Sequence, residues 1–198
     1  MQGSLLSQED QVRWDKQHAD SADTAQPASF LRQVFATDAW ALPRGRALDI
    51  ACGKGRNSLY LAELGFEVAA MDISAVALDE ARTRAKSRQL CIDWRQSDLE
   101  VVQLAEAVFD LVVNFNYLQR SLIPQIMGAV KVGGYVIFET YLIDQKEIGQ
   151  PKNPDYLLGH NELLEHFRDF RVLYYREGKF TEGEEASYRA GILAQRTV

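Results

Sequence analysis

Cysteine, histidine and proline are scarce in this chain, and each scarcity removes a class of answer. The two cysteines, Cys52 and Cys91, form no close pair, which excludes a disulfide framework and a cysteine-based zinc module. With no apolar leader-like run at the N-terminus either, a reducing cytoplasm is the expected compartment. His18, His160 and His166 are scattered without metal-ligand spacing, so no metal site is expected. Long apolar runs are missing too, and no membrane is expected as a partner. Positive charge is in deficit: 22 Lys and Arg against 28 Asp and Glu leave a net charge of −6. A surface that tracks phosphates needs clustered cations, so nucleic acid is not expected as a partner. The basic run Arg82 to Arg88 falls in the last turns of a predicted helix, where cations complement the helix dipole.

What is present fits one well-filled core. A chain of 198 residues that is 46% hydrophobic supports a single domain, placed at 27–198, with residues 1–26 as an N-terminal arm. Polar residues dominate from Met1 to Gln11, a stretch expected to be irregular and given no function. Pro27 to Trp40 repeats apolar residues at helical spacing. A strand over Arg46 to Ala51 leads into a helix over Arg56 to Leu64 that Gly65 terminates. Strand two follows at Glu67 to Asp72, Ser74 caps the next helix, and strand three starts near Cys91. This βαβαβ order signals a parallel sheet with right-handed crossovers. Val108 to Val113 reads as a fourth strand buried on both faces. Ser121 and Pro124 open a helix to about Val130, and Gly133-Gly134 turns the chain into a fifth strand, Tyr135 to Tyr141. The polar segment Asp144 to Asp155 reads as a lid or substrate loop. A short helix near Glu162 to Phe167 precedes two β-rich runs, Phe170 to Glu177 and Ala186 to Arg196, joined by a turn at Gly178 to Glu185.

The stretch Ala47-Leu-Asp49-Ile-Ala51-Cys52-Gly53-Lys-Gly55-Arg56-Asn57-Ser58 carries most of the functional signal. An apolar strand brings a carboxylate into a glycine turn that opens a helix. Such a turn cradles a ligand, because glycines let the backbone approach it and the helix N-terminus points free N–H groups at it. A dinucleotide would bring a pyrophosphate there; S-adenosylmethionine would bring a sulfonium and an ammonium with one carboxylate. A unit charge pair at about 4 Å is worth roughly 4 kcal/mol at an effective dielectric near 20, so Asp49 favours the cationic ligand. Ser58 at the third fingerprint position also loosens the dinucleotide match. Asp72 follows Gly53 by nineteen positions, the distance at which an acid after strand two meets ribose hydroxyls. Asp98 suits an adenine amino group after strand three, with Leu99 over a ring face.

On these residues, together with Met71-Asp72, Ser97-Asp98 and Phe109-Asp-Leu-Val-Val-Asn114, the chain resembles the class I S-adenosylmethionine-dependent methyltransferases from about Arg46 to Tyr141. Gly53-Lys-Gly55-Arg56-Asn57-Ser-Leu-Tyr-Leu-Ala62 is similar to the small tellurite-resistance and thiopurine-type branch. The resemblance implies an α/β, Rossmann-like, doubly wound sheet of seven strands, mostly parallel, with a C-terminal antiparallel hairpin. It also implies S-adenosyl-L-methionine as cofactor and S-adenosyl-L-homocysteine as product. The cofactor contacts would come from Asp49, Ala51, Cys52, Gly53, Gly55, Arg56, Asn57, Asp72, Ile73, Asp98, Leu99 and Asn114.

Methyl transfer from a sulfonium is an in-line displacement, so the protein mainly aligns nucleophile, methyl carbon and sulfur. A soft thiolate or selenol needs no general base, and no catalytic residue is singled out. Within the resemblance, Trp14 and Asp15 take a lid role with His18 beside them; alternatively they dock the N-terminal arm. Asn114-Phe115-Asn116-Tyr117 lacks the prolines of the amino-methylating Asn-Pro-Pro-Tyr motif, which disfavours nucleobase and amide nitrogen. Phe115 and Tyr117 are candidate walls of a small-molecule substrate site, and Arg120 or Arg56 a candidate counter-charge. Cys52 is read as a small residue facing the cofactor, and Arg176 and Arg189 as surface ion-pairing residues. Two other functions are compatible with these residues: an NAD-dependent oxidoreductase, and a non-catalytic S-adenosylmethionine-binding partner subunit.

Overall fold

The computed structural model describes residues 3–20, 26–37, 39–40, 42–182 and 185–198. Seven strands form one sheet: β1 (Arg46–Ile50), β2 (Glu67–Asp72), β3 (Ile92–Gln96), β4 (Phe109–Phe115), β5 (Val130–Tyr141), β6 (Arg171–Glu182) and β7 (Glu185–Gln195). Their order across the sheet is β3-β2-β1-β4-β5-β7-β6. The first five run parallel, while β7 pairs antiparallel with β5 and β6. The expected Rossmann-like sheet and its C-terminal hairpin are therefore present. Strand order reverses direction between β1 and β4, which opens a crevice at their carboxyl ends.

Apolar residues on both faces explain why the central strands are apolar throughout. Leu48, Ile50, Val112 and Phe138 pack against α5 (Ile123–Ala129) and α6 (Glu162–His166). On the other face Ala47, Leu111, Val113 and Ile137 meet α2 (Ser29–Phe35) and α3 (Arg56–Glu63). After α3, Gly65 adopts φ +91° and Phe66 N–H bonds Leu61 O at 3.1 Å, turning the chain into β2. Ser74 Oγ accepts from Ala77 N–H at 3.1 Å and starts α4 (Ala75–Ser87) as expected. Among the described residues no helix is long and apolar enough to cross a membrane.

Four expectations are revised. The polar N-terminal stretch is helical from Gly3 to Asp20 (α1) and packs on α4; tertiary contact supplies the order that composition withheld. The helix expected over Pro27 to Trp40 shortens to α2, and Asp38 lies outside the described residues. Gly133 and Gly134 sit inside β5, not before it, because the strand bulges: Phe109 pairs with Val130 and Leu111 with Tyr135. Gly178 to Glu182 extend β6 instead of forming a turn, and residues 183–184 lie outside the described residues.

The segment after β5 is anchored at several points. It holds two short 3-10 turns, Ile143–Glu147 and Pro154–Tyr156. Buried Gln145 accepts from Tyr188 N–H at 2.8 Å and donates to Gln150 O at 3.0 Å. Further along, Phe167 is fully buried, its ring tilted against Phe138 and edge-on to Phe170. Replacing it with alanine is expected to cost about 3–5 kcal/mol, read as a loss of unfolding free energy in urea. A change below about 1 kcal/mol would contradict this packing account.

Candidate cofactor and acceptor site

The turn after β1 is built from left-handed backbone. Ala51, Gly53 and Gly55 have φ of 52°, 53° and 77°, conformations that an L side chain resists and glycine accepts. Gly55 is also crowded: a Cβ there would lie 2.5 Å from the Trp94 ring. Cys52 N–H bonds Met71 O and Gly55 N–H bonds Cys52 O, both at 3.0 Å. Burial raises the Cys52 thiol well above its ordinary pKa, which fits an inert small residue rather than a nucleophile.

Asp72 fixes this turn to the next one. Its Oδ2 accepts from Gly53 N–H at 2.7 Å and its Oδ1 from Ser74 N–H at 2.9 Å. Ile73, half-buried, accepts from Gln96 Nε2 through its carbonyl at 3.2 Å. Above the turn stands α1. Asp15 Oδ1 accepts from Ser74 Oγ at 2.6 Å, joining the cap of α4, and His18 lies over Gly53, 3.3 Å from where a Cβ would stand. Trp14 and His18 have ring centroids 6.0 Å apart. Burial lowers the His18 pKa, opposed by the Asp72 carboxylate.

At the tip of β4, Asn114 is fully buried and donates from Nδ2 to Tyr117 O at 2.8 Å, while its Oδ1 has no hydrogen-bond partner among the described residues. A buried acceptor without a donor costs free energy. A bound ammonium or hydroxyl would satisfy it, so the residues present fit a cofactor that carries such donors.

Other expected contacts have different occupations. Asp49 is buried beneath α3, where its Oδ2 accepts from Ser58 Oγ at 2.5 Å. Desolvation pushes its carboxyl up to about 7, only partly opposed by that hydrogen bond. Selection of a cation by Asp49 charge is thereby weakened at neutral pH, because the group is only partly ionised. Asn57 is buried and accepts from Ala28 N–H at 2.9 Å, tying α2 to α3. Asp98 accepts from Glu100 N–H at 2.9 Å in its own turn, and Leu99 is in the core.

The expected substrate residues are also redistributed. Phe115 belongs to the core with Ile137, and Tyr117 OH donates to Gln119 Oε1 at 2.6 Å. Arg120 is a clamp for the segment after β5. It donates to Glu162 at 2.7 and 3.0 Å, to Asp155 O at 3.1 Å and to Leu157 O at 2.8 Å. Arg176 and Arg189 are not surface residues. Their side chains are 13% and 15% exposed, turned toward Glu139, which is 2% exposed. Sequence reading missed Glu139 altogether: a single acid inside an apolar strand, Val136-Ile-Phe-Glu139, was the available signal.

Asp49 also sets a pH dependence. Its folded pKa, about 7, lies above the ordinary 3.8, so the folded protein holds a proton that the unfolded chain releases. The resulting contribution to stability is complete below about 3.8 and disappears as pH rises through about 7. Wild type is therefore expected to lose up to about 1.4 kcal/mol per pH unit over that window from this group. Asp49→Asn should flatten the slope in urea titrations across the same range, and an unchanged slope would refute the assignment.

Residues 47–134 match a family model described as a methyltransferase domain. The probable S-adenosyl-L-methionine-dependent methyltransferase TehB of Haemophilus influenzae is 29% identical over 139 residues, covering 67% of this chain and 48% of that protein. The chain thus spans about half the length of the curated relatives it matches. The crystal structure of TehB from Haemophilus influenzae superposes with a TM-score of 0.71 at 22% identity, covering 94% of this chain and 66% of that one. The same fold occurs in the [4+2]-cyclase SpnF, at TM-score 0.66 and 18% identity over 86% and 82% of the two chains. Fold alone therefore does not name the reaction. Over residues 47–134, with the glycine turn and the sheet topology beside it, this chain is similar to methyltransferase domains, and the probable S-adenosyl-L-methionine-dependent methyltransferase TehB of Haemophilus influenzae is among the proteins it resembles.

Proposed function

We propose that the chain transfers the methyl group of S-adenosylmethionine to a small-molecule acceptor, with residues 27–198 as the working domain and residues 1–26 as an N-terminal arm whose Asp15 and His18 reach its cofactor turn. The observation that carries this reading is the left-handed turn at Ala51 to Gly55, seated where strand order reverses and held by Asp72. In a doubly wound sheet that crevice is the place where a nucleotide-like ligand binds.

The cofactor, when bound, supplies an electrophilic methyl group on a sulfonium. Gly53 leaves room beneath His18 and Gly55 leaves room for the Trp94 ring, so the turn can keep its left-handed backbone; Asp72 orders the turn and borders the ribose position, and Asn114 Oδ1 is an acceptor awaiting a donor. Ala51, Cys52, Arg56 and Ile73 border the same turn. Trp14, Asp15 and His18 on α1 restrict water from above. Since alignment is the main requirement of an in-line displacement, a soft nucleophile needs no dedicated base here.

Differential scanning calorimetry tests the reading. S-adenosylhomocysteine at a hundred times its Kd is expected to stabilise the protein by about 2.7 kcal/mol, and NADH not at all. The opposite pattern would replace this function with that of a nicotinamide-dependent oxidoreductase. Asp72→Asn should weaken S-adenosylhomocysteine about ten- to hundredfold, as expected for a charged hydrogen-bond partner lost. Binding without turnover of any thiol, selenite, tellurite or amine would indicate a cofactor-binding subunit.

A further inference from the structure

The two edges of the sheet are unlike. At one, β3 is five residues long and carries the exposed ion pair of Asp93 and Arg95, the short, charged edge by which a sheet avoids further pairing. At the other, β6 runs for 12 residues, and among the described residues no strand pairs with its outer side. Gln33 of α2 reaches Tyr174 OH at 3.1 Å and Asn161 N–H reaches Glu177 at 2.8 Å, contacts to side chains that leave the outer backbone edge uncovered. The pairing of β6 with β7 shifts once, between Val172 and Tyr174, and is regular from Tyr174 to Glu182. A long unpaired row of N–H and C=O groups is a template for another strand.

The residues of this stretch select the strand that fits. Opposite residues of an antiparallel pair share a face, so a two-fold axis normal to the sheet passes through a residue that lies opposite its own copy. Centred on Gly178, the axis uses the whole regular stretch from Tyr174 to Glu182. Glu177 then lies opposite Lys179, Tyr175 opposite Thr181 and Tyr174 opposite Glu182, each pair made twice. Arg176 lies opposite Phe180, repeating across the axis the cation–aromatic contact that it makes at 4.4 Å with Phe180 of its own chain. Gly178 has open space where a Cβ would stand, which leaves room on the axis for those side chains. Moving the axis by one residue sets Glu177 against Glu177 or Lys179 against Lys179, like charges that destabilise a sheet.

We propose that the outer edge of β6 is a self-association surface whose partner is a second copy of this chain, paired antiparallel about Gly178 so that two seven-stranded sheets become one. The association holds whatever reaction the chain performs. Its two-fold axis sets the glycine turns of the two copies at opposite ends of the joined sheet, so neither copy covers the other's turn. A single strand pair is small beside the roughly 800 Å² that each partner buries in a standard interface, and a dimer with Kd on the order of 10 μM is expected. Because Lys179 is exposed, its pairing with Glu177 weakens as salt rises.

Sedimentation equilibrium of the full chain from about 1 to 500 μM spans that Kd and reads the association. Lys179→Glu is expected to weaken the dimer about tenfold or more, since it sets like charges opposite each other twice. Glu177→Lys should do the same. An equimolar mixture of the two variants is expected to recover the wild-type Kd to within about threefold, because each chain then brings the charge that the other lacks. That recovery requires the Gly178 register. Glu177 also accepts from Asn161 N–H and Tyr175 OH within its own chain, so circular dichroism and urea unfolding of each variant separate lost association from lost fold. Lys179→Glu, at an exposed position, carries the test by itself if Glu177→Lys does not fold. A monomer throughout the concentration range would leave the edge to a different partner and overturn the proposal. A dimer that Lys179→Glu leaves unchanged would assign the contact to another face and overturn it too, as would two folded variants that fail to associate when mixed.

Discussion

A single carboxylate, Asp72, couples the two turns on which the site depends. One oxygen accepts from Gly53 N–H after β1 and the other from Ser74 N–H before α4. Backbone donors left over at helix starts must find partners, and a carboxylate supplies two in fixed geometry. The turn it holds contains three left-handed residues, a conformation that would relax without restraint. Ser74 in turn receives Asp15 from α1. The glycine turn, the start of α4 and the N-terminal helix are therefore one connected polar network rather than three independent pieces.

Charge is distributed unevenly around this network. On the α4 side, Lys54 pairs with Glu80 at 2.9 Å and Asp15 caps a helix, so local charges are matched. Over β5, β6 and β7 the balance differs: Arg176 and Glu139 neutralise each other while Arg189 holds only neutral partners within hydrogen-bond reach. Burial pushes the Glu139 carboxyl up and the two arginines pull it back. Burying such a group is costly unless it is paired. A strand position that could have held another apolar residue carries this cost, which fits a role in orienting cations at the end of the sheet.

The parallel half of the sheet was readable because its signals are local and redundant. Apolar runs, Gly65 past α3, Ser74 before α4 and the strand-helix alternation all agree with one another. The glycine turn was readable for the same reason: only glycine tolerates both the left-handed backbone at Gly55 and the Trp94 ring against it. Where local signals conflicted with distant contacts, the reading failed. Residues of α1 have little apolar periodicity of their own, and their order comes from packing on α4. Arg120 looked like a counter-charge because its partners, Asp155 O, Leu157 O and Glu162, are 35 to 42 residues away. Asn57, similarly, bonds to a residue 29 positions earlier.

The βαβ order, the glycine turn and the acids at or near the ends of three successive strands are written in the residues themselves, because each depends on near neighbours and on backbone sterics. Only the tertiary structure decided what each of those acids holds: Asp72 accepts from the glycine turn, whereas Asp49 is buried beneath α3 against Ser58. It alone decided, too, that Arg176 and Arg189 share Glu139 instead of solvent. Strand register sets such meetings, since Glu139 pairs with Gly191 on β7 and Arg176 with that same glycine on β6. A pattern of period two says which face a residue takes, but not which distant residue arrives opposite it.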